Sequence, residues 1–328
     1  MSGLHMSERS SDSVPHSAER TLREACGRAA GPSGASHAPN HSRTYRPAGQ
    51  GRLPGRLGWR LVKTAAAAGA VAAAYMLFEA QWIECKEETL RVPGLPYAWS
   101  GIKVLHLSDV HAGDFGVGLV SLRKAVNWAV PLRPDLVFLT GDILGDPTRS
   151  AQSLAELSRL SPTLGCYAVT GNHEYGLGKG PLARARDSAG LWAGAEVTVL
   201  KDRCVRLPAR GGSSLVLCGA DYVTGGFGLA DPSARPGDFR ILLIHDPPRV
   251  DDILKNSFSL AFAGHTHGGQ LRVPAPSGLV PLTDQGREFL GGVYPWGDGL
   301  LVVSRGVGTS FLPFRLLTRP EATLWRLV

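Results

Sequence analysis

The chain has 328 residues, 43% of them hydrophobic, with 35 Lys and Arg against 28 Asp and Glu and a formal net charge of +7. That suffices for one well-buried domain of about 200–250 residues plus extensions. The charge excess does not imply a nucleic-acid partner: residues 1–63 hold ten Lys/Arg against four Asp/Glu, a difference of +6, without aromatic interleaving, and the remainder is close to neutral.

Residues 1–57 are rich in Ser, Gly, Pro, Arg and His, and runs such as GPSGASHAPNHS offer too little apolar surface to offset chain entropy. A disordered basic tail is expected there, and no function attaches to His5, His16, His37 or His41. Residues 58–84 read as a signal-anchor-like helix, centred on the uncharged stretch from Thr64 to Phe78 and preceded by Arg52, Arg56, Arg60 and Lys63. The uncharged stretch is short for a hydrocarbon core of about 30 Å, so spanning requires Glu79 and Gln81 near the interface. A cleavable signal sequence and a helix packed on the domain fit the same residues. Basic residues before the segment and Glu79, Glu84, Glu87 and Glu88 after it favour a cytoplasmic N-terminus, with the following domain on the exterior or periplasmic side. A cytoplasm-facing peripheral protein is the alternative.

The pattern of residues 90–328 is α/β. The runs IKVLHL, DLVFLT, CYAVT, SLVLCGA, RILLIH, SLAFAG and GLLVVS read as buried strands. Helices are expected over Leu119–Val130, Ser150–Leu160, Pro181–Trp192 and Pro248–Asn256. Short paired strands around a GG turn in 197–220 suggest antiparallel additions at one side of a sheet. Cys26, Cys85, Cys166, Cys204 and Cys218 are odd in number, scattered and without a CxxC pair, which supports neither a disulfide framework nor a zinc knuckle but leaves room for a single bridge.

Five of these strands end in polar clusters: SDVHAG, GD, GNHE, HDP and GHTHGG. Ligands of open α/β sheets bind at the carboxyl ends of strands. Outside the tail there are six histidines, and five of them, His111, His173, His245, His265 and His267, sit in these clusters. In DVH and HTH the outer residues are two apart and point the same way on an extended segment, so each motif can present two donors to a pair of ions. Mixed carboxylate, imidazole and carboxamide donors suit Mn, Fe or Zn better than Ca or Mg. Taken singly, each cluster is an ordinary turn or cap; their shared position is the signal. His106, inside a strand, reads as a buried, hydrogen-bonded histidine, and Asp114 and Asp146 as loop residues. Arg272, Arg287 and Arg305 are as well explained by structural ion pairs as by phosphate binding, and the GxG of SRGVGTSF lacks the rest of a dinucleotide fingerprint.

The ordered set Asp109/His111, Asp142, Asn172/His173, His245 and His265/His267 resembles that of the calcineurin-like metallophosphoesterases. The segments AYMLFEAQWIE, LSDVHAG, GHTHGGQ and SRGVGTSFLPFRLLTRPEATLWRL are similar to those of the bacterial membrane-associated subgroup, which includes exported phosphodiesterases and UDP-2,3-diacylglucosamine pyrophosphohydrolases. The resemblance covers roughly residues 70–328 and implies a four-layer α/β/β/α sandwich. It implies that Asp109, His111 and His267 bind one divalent ion and Asn172, His245 and His265 another. Asp142 would bridge the two at about 3.5–4 Å. A hydroxide shared by the ions would hydrolyse a phosphodiester, phosphomonoester or pyrophosphate bond, on a substrate that the anchor would allow to be lipid-linked. His173 would protonate the leaving group or stabilise the charged transition state. Asp246 occupies a slot that varies among relatives. A rival class, a non-catalytic scaffold of the same fold, is disfavoured because every ligand type is retained.

Overall fold

The computed structural model describes residues 56–112, 117–145, 147–177, 189–193, 195–208, 211–226, 229, 235, 237–247, 257–282 and 288–328. The basic tail as far as residue 55, the helix expected over Pro248–Asn256, most of that over Pro181–Trp192, and Asp114, Asp146 and Arg287 lie outside the described residues.

Helix α1, Arg56–Glu79, is 24 residues long, so the helix extends well beyond the uncharged core on its N-terminal side. The stretch Gly58–Glu79 is apolar and long enough to cross a membrane, and none of its most apolar window is buried in protein. At about 1.5 Å per residue, its 22 residues reach roughly 33 Å, which matches a hydrocarbon core of about 30 Å.

Strand β1, Glu84–Leu90, follows directly and lies ahead of residue 90, where the sequence pattern suggested the domain begins. Its sequence, ECKEETL, carries little apolar signal because it is a sheet edge. The first sheet has the order β1-β14-β2-β3-β4-β5, where β2 is Lys103–Leu107, β3 Leu136–Thr140, β4 Gly165–Val169, β5 Thr198–Val199 and β14 Glu321–Leu327. Chain end and chain start meet here, since β1 runs parallel to β14, which is antiparallel to β2. The second sheet has the order β12-β13-β9-β8-β7-β6, with β6 Arg203–Arg206, β7 Leu215–Gly219, β8 Phe239–Leu243, β9 Leu260–Ala263, β12 Gly292–Trp296 and β13 Gly299–Val303. The expected antiparallel addition is the β6–β7 pair, turning through Gly211 and Gly212 and joined by a Cys204–Cys218 disulfide. A small ribbon pairs β10, Arg272–Ala275, with β11, Gly278–Pro281.

Alternation of side chains builds the layers. Val104, Leu136, Phe138 and Val169 of the first sheet meet Leu217, Ile241, Leu243, Phe262 and Val302 of the second in one core between the sheets. The opposite face of the first sheet, with Leu105, Leu107, Val137 and Leu139, is covered by helices α2, Val117–Ala129, and α3, Pro147–Leu157, through Leu122, Ala125, Val126 and Leu157. A third core of Val216, Leu242, Ala261, Leu301 and Val303 lines the outer face of the second sheet. These are the α/β/β layers of the expected sandwich, and the apolar side chains on the outer face of the second sheet are themselves buried. His106 lies in the intersheet core, bonded to Thr140 Oγ1 at 2.9 Å and packed on Phe262; burial pushes its pKa down to about 3, so it is a neutral structural residue.

Candidate metal centre

Strands β2, β3 and β4 are parallel within the first sheet, and β7, β8 and β9 are parallel within the second. Their carboxyl ends therefore lie at one edge, where Asp109, Asp142, Asn172, His245, His265 and His267 emerge. The two sheets are tied there: His245 Nδ1 donates to the Thr140 carbonyl at 2.8 Å, and the His265 amide donates to Asp109 Oδ2 at 3.0 Å. The chain must turn sharply at this edge. Asp109, His111, Asp142, His265 and His267 all have positive φ between 50° and 72°, which L-residues avoid unless their surroundings impose it. Glycines make room: a Cβ on Gly264 would collide with Ser108 and the Asp109 carboxylate.

All seven expected metal ligands meet. On one side His111 Nε2 is 2.9 Å from His267 Nε2, which is 3.4 Å from Asp109 Oδ1. On the other side His245 Nε2 is 3.2 Å from Asn172 Oδ1 and 3.0 Å from His265 Nδ1. Asp142 Oδ2 sits between the groups, 3.3 Å from His245 Nε2 and 3.7 Å from His111 Nε2. Donors each about 2.0–2.2 Å from one ion are separated by roughly 3.0–3.6 Å, so the donor set fits two ions. Each carboxylate is anchored by a backbone amide and keeps an oxygen facing the cluster: Asp142 Oδ1 accepts from the His173 amide at 2.8 Å, and the His265 amide is shared by Asp109 Oδ2 at 3.0 Å and Oδ1 at 3.2 Å. Since a carbonyl can only accept, Nδ1 of His245 must carry the proton, and Nε2 of the neutral ring is then free to coordinate. Three sets of donor atoms lie within 4.8 Å of one another: Asp109, His111 and His267; His111, Asp142 and His173; and Asp142, His245 and His265. His173 stands edge-on to His111, ring centroids 4.5 Å apart, and lines the open cavity.

The electrostatics report a demand for positive charge. Burial opposes a charge on His245, yet the charge and hydrogen bond of Asp142, with Asp109 and the Thr140 carbonyl, push it up to about 10. Burial, reinforced by neighbouring histidines and only partly offset by Asp142, holds His111 down at about 3. Burial and the Asp142 charge raise Asp109 to about 6, against the pull of His245. A cluster of carboxylates and imidazoles whose donor atoms converge in this way, with His245 drawn toward its cationic form by the carboxylates, is the donor chemistry of a cation site.

Two supporting residues escaped the sequence reading. Glu174 is fully buried and accepts from four backbone amides: Asp142 and Gly171 on Oε2, at 2.9 and 2.8 Å, and Ile143 and Leu144 on Oε1, at 2.7 and 2.9 Å. It holds the Asp142 turn. Its signal was the reach back from the fourth residue of GNHE to the first, the spacing of a capping box. Arg315, 0% exposed, donates to the carbonyls of His267, Gly308, Thr318 and Arg305, bracing the loop under His267. A lone charge inside the apolar run FLPFRLL was its signal. Arg305 is bound to Glu84 and Glu321, and Arg272 to the carbonyls of Gly268 and Leu290, so both serve the structure.

The cluster opens into a cavity of about 580 Å³ lined by Asn172, His173, Tyr222, Asp246 and His265 on its polar side and by Leu177, Leu271, Phe311 and Leu312 on its apolar side. The calcineurin-like phosphoesterase profile matches residues 102–269, which begin before β2 and end with GHTHGG. The chain is 30% identical over 76% of its length to an uncharacterized metallophosphoesterase, YkuE, of Bacillus subtilis (strain 168), covering 87% of that protein. It is also 30% identical to the phosphodiesterase YaeI of Escherichia coli (strain K12), over 69% of this chain and 82% of the relative. A transmembrane protein with a metallophosphoesterase domain from Danio rerio is 30% identical over 71% of this chain and 54% of its own length. On the match of both its profile and its relatives, the chain belongs to the calcineurin-like phosphoesterase family.

Proposed function

We propose that this protein is a membrane-anchored, two-metal phosphoesterase of the phosphodiesterase type. Asp109, His111 and His267 hold one ion, Asn172, His245 and His265 the other, and Asp142 is shared. The observation that carries this reading is the position of Asp142 Oδ2 between His245 Nε2 and His111 Nε2, with Oδ1 already engaged. Nitrogen-rich donors favour Mn, Fe or Zn. When bound, such a pair supplies a lowered water pKa and charge that polarises phosphoryl oxygens.

The chain's own residues do the rest. Glu174 and Arg315 hold the ligand turns rigid. His245 keeps its proton on Nδ1 against Thr140, and His173, adjacent to Asn172 and facing the cavity, donates a proton to the departing oxygen. Phosphate esters are the substrate class, and α1 confines the enzyme to a bilayer. The charge asymmetry around α1 supports an exterior or periplasmic catalytic domain, and the Cys204–Cys218 bridge supports the same side, since disulfides persist in oxidising compartments. That orientation ranks hydrolysis of a cytoplasmic UDP-diacylglucosamine-type precursor below a general phosphodiesterase activity. Adding Mn to metal-stripped protein is expected to restore hydrolysis of bis-p-nitrophenyl phosphate. No hydrolysis of that ester or of p-nitrophenyl phosphate, with no metal retained, would sink the proposal.

A further inference from the structure

The end of α1 is fastened to a segment, Arg315–Thr318, that adjoins the catalytic cavity. Met76 O accepts from the Arg315 amide at 3.1 Å, and the buried Glu79 carboxylate accepts from the amides of Leu317 at 3.0 Å and Thr318 at 2.6 Å. From Leu317 a backbone ribbon leads to the cavity: Leu316 bridges Leu271, which lines it, and the Leu282 amide donates to Leu271 O at 2.9 Å. In the other direction Arg315 is three residues from Leu312, also in the lining, and three residues span at most about 11 Å.

That distance has a consequence. If Gly58–Glu79 spans the hydrocarbon core with little length to spare, its Glu79 end lies at the interface, and the polar layer beyond is about 5–8 Å deep. The cavity rim is then at headgroup level. The surface agrees: Leu282 is 57%, Leu312 44% and Leu317 39% exposed around the rim, beside Phe78 and Trp82 at the helix end. Arg319 lies over the Trp82 ring at 4.1 Å, and Lys124 Nζ donates to Gln81 O at 2.7 Å, an aromatic and basic girdle suited to lipid phosphates. Glu79, the one acid in this last turn, is spent on backbone amides.

Resting on the phosphoesterase reading above, we infer that the lip formed by Leu282, Leu312 and Leu317 docks on the bilayer, and that the substrate is a lipid phosphoester. Its apolar chain stays in the membrane beside Phe311 and Leu312 while its phosphate reaches the ion cluster.

The test compares full-length protein, reconstituted in phosphatidylcholine vesicles carrying phosphatidylglycerol or phosphatidic acid, on those lipids and on bis-p-nitrophenyl phosphate in solution. The paired change Leu282→Glu with Leu317→Glu is expected to leave soluble hydrolysis within about twofold and to lower vesicle hydrolysis roughly tenfold. Parallel loss in both assays, or none in either, overturns the inference. A second comparison needs no variant: wild type should prefer vesicle-borne lipid over a monomeric short-chain analogue of the same headgroup, and equal rates overturn the inference. Hydrolysis of the soluble ester with no attack on either lipid overturns it while leaving the phosphoesterase reading intact. No hydrolysis of any of them removes that reading and the inference with it.

Discussion

Glu174→Gln changes one oxygen of a fully buried side chain to an amide nitrogen and keeps its shape. In the wild type each carboxylate oxygen accepts two backbone amides, Asp142 with Gly171 and Ile143 with Leu144. Whichever way the new amide turns, its NH2 faces two amide donors, and both lose their acceptor in a site closed to water. An orphaned buried donor costs about 1–3 kcal/mol, so the two together cost roughly 2–6 kcal/mol. Against a domain stability of about 5–15 kcal/mol this is a large share, and the Asp142 turn loses its brace. The assay is urea unfolding at pH 8, above the value of about 6 to which burial and the Asp142 charge raise Glu174, read alongside metal content. A stability loss within about 0.5 kcal/mol, the range of a neutral surface change, with metal content unchanged, would refute the bracing role.

His173→Ala is expected to retain both ions and lose about 10²–10⁴-fold in kcat, the range of a general acid; equal metal loss in His173→Ala and Asp142→Asn would contradict the division of roles. Reducing the Cys204–Cys218 bridge, which closes a loop of 14 residues, should cost about 3 kcal/mol, seen as a fall in Tm of roughly 6–12 °C; an unchanged Tm under dithiothreitol argues against a bridge in the folded protein. Asp238 is held at about 2, chiefly by its hydrogen bond to Arg206. Since a folded-state pKa below the ordinary 3.8 favours the ionised form, its contribution is present above about pH 4 and is lost as pH falls toward 2. Asp238→Asn should therefore differ from wild type in urea unfolding at pH 7 and converge with it toward pH 2, and a constant difference would exclude this linkage.

The strand ends were legible because each buried strand stops at a Gly- or His-bearing cluster, and one short apolar run reads the same whether its sheet is parallel or mixed. What was not legible is non-local. Nothing in ECKEETL announces β1, since a polar edge strand has no apolar period, and its pairing with β14 joins residues more than two hundred positions apart. Deleting residues 1–88 to detach the anchor would thus remove most of an edge strand. The division of the strands between two sheets also depends on pairing that periodicity does not encode. The seven donors could be read as types, and their convergence fits, but Glu174 and Arg315 work through backbone amides and carbonyls whose positions only the fold supplies. The 24 residues of α1 exceed its uncharged core because the helix includes Arg60 and Lys63 near one end and Glu79, whose carboxylate accepts from the amides of Leu317 and Thr318, at the other.

Metal stoichiometry tests the central claim most directly. Mass spectrometry of purified protein reconstituted with Mn, Fe or Zn should give two ions per wild-type chain and one or none for Asp142→Asn, because the shared carboxylate is the ligand common to both sites. A single ion in the wild type, or two ions retained without Asp142, would contradict the account.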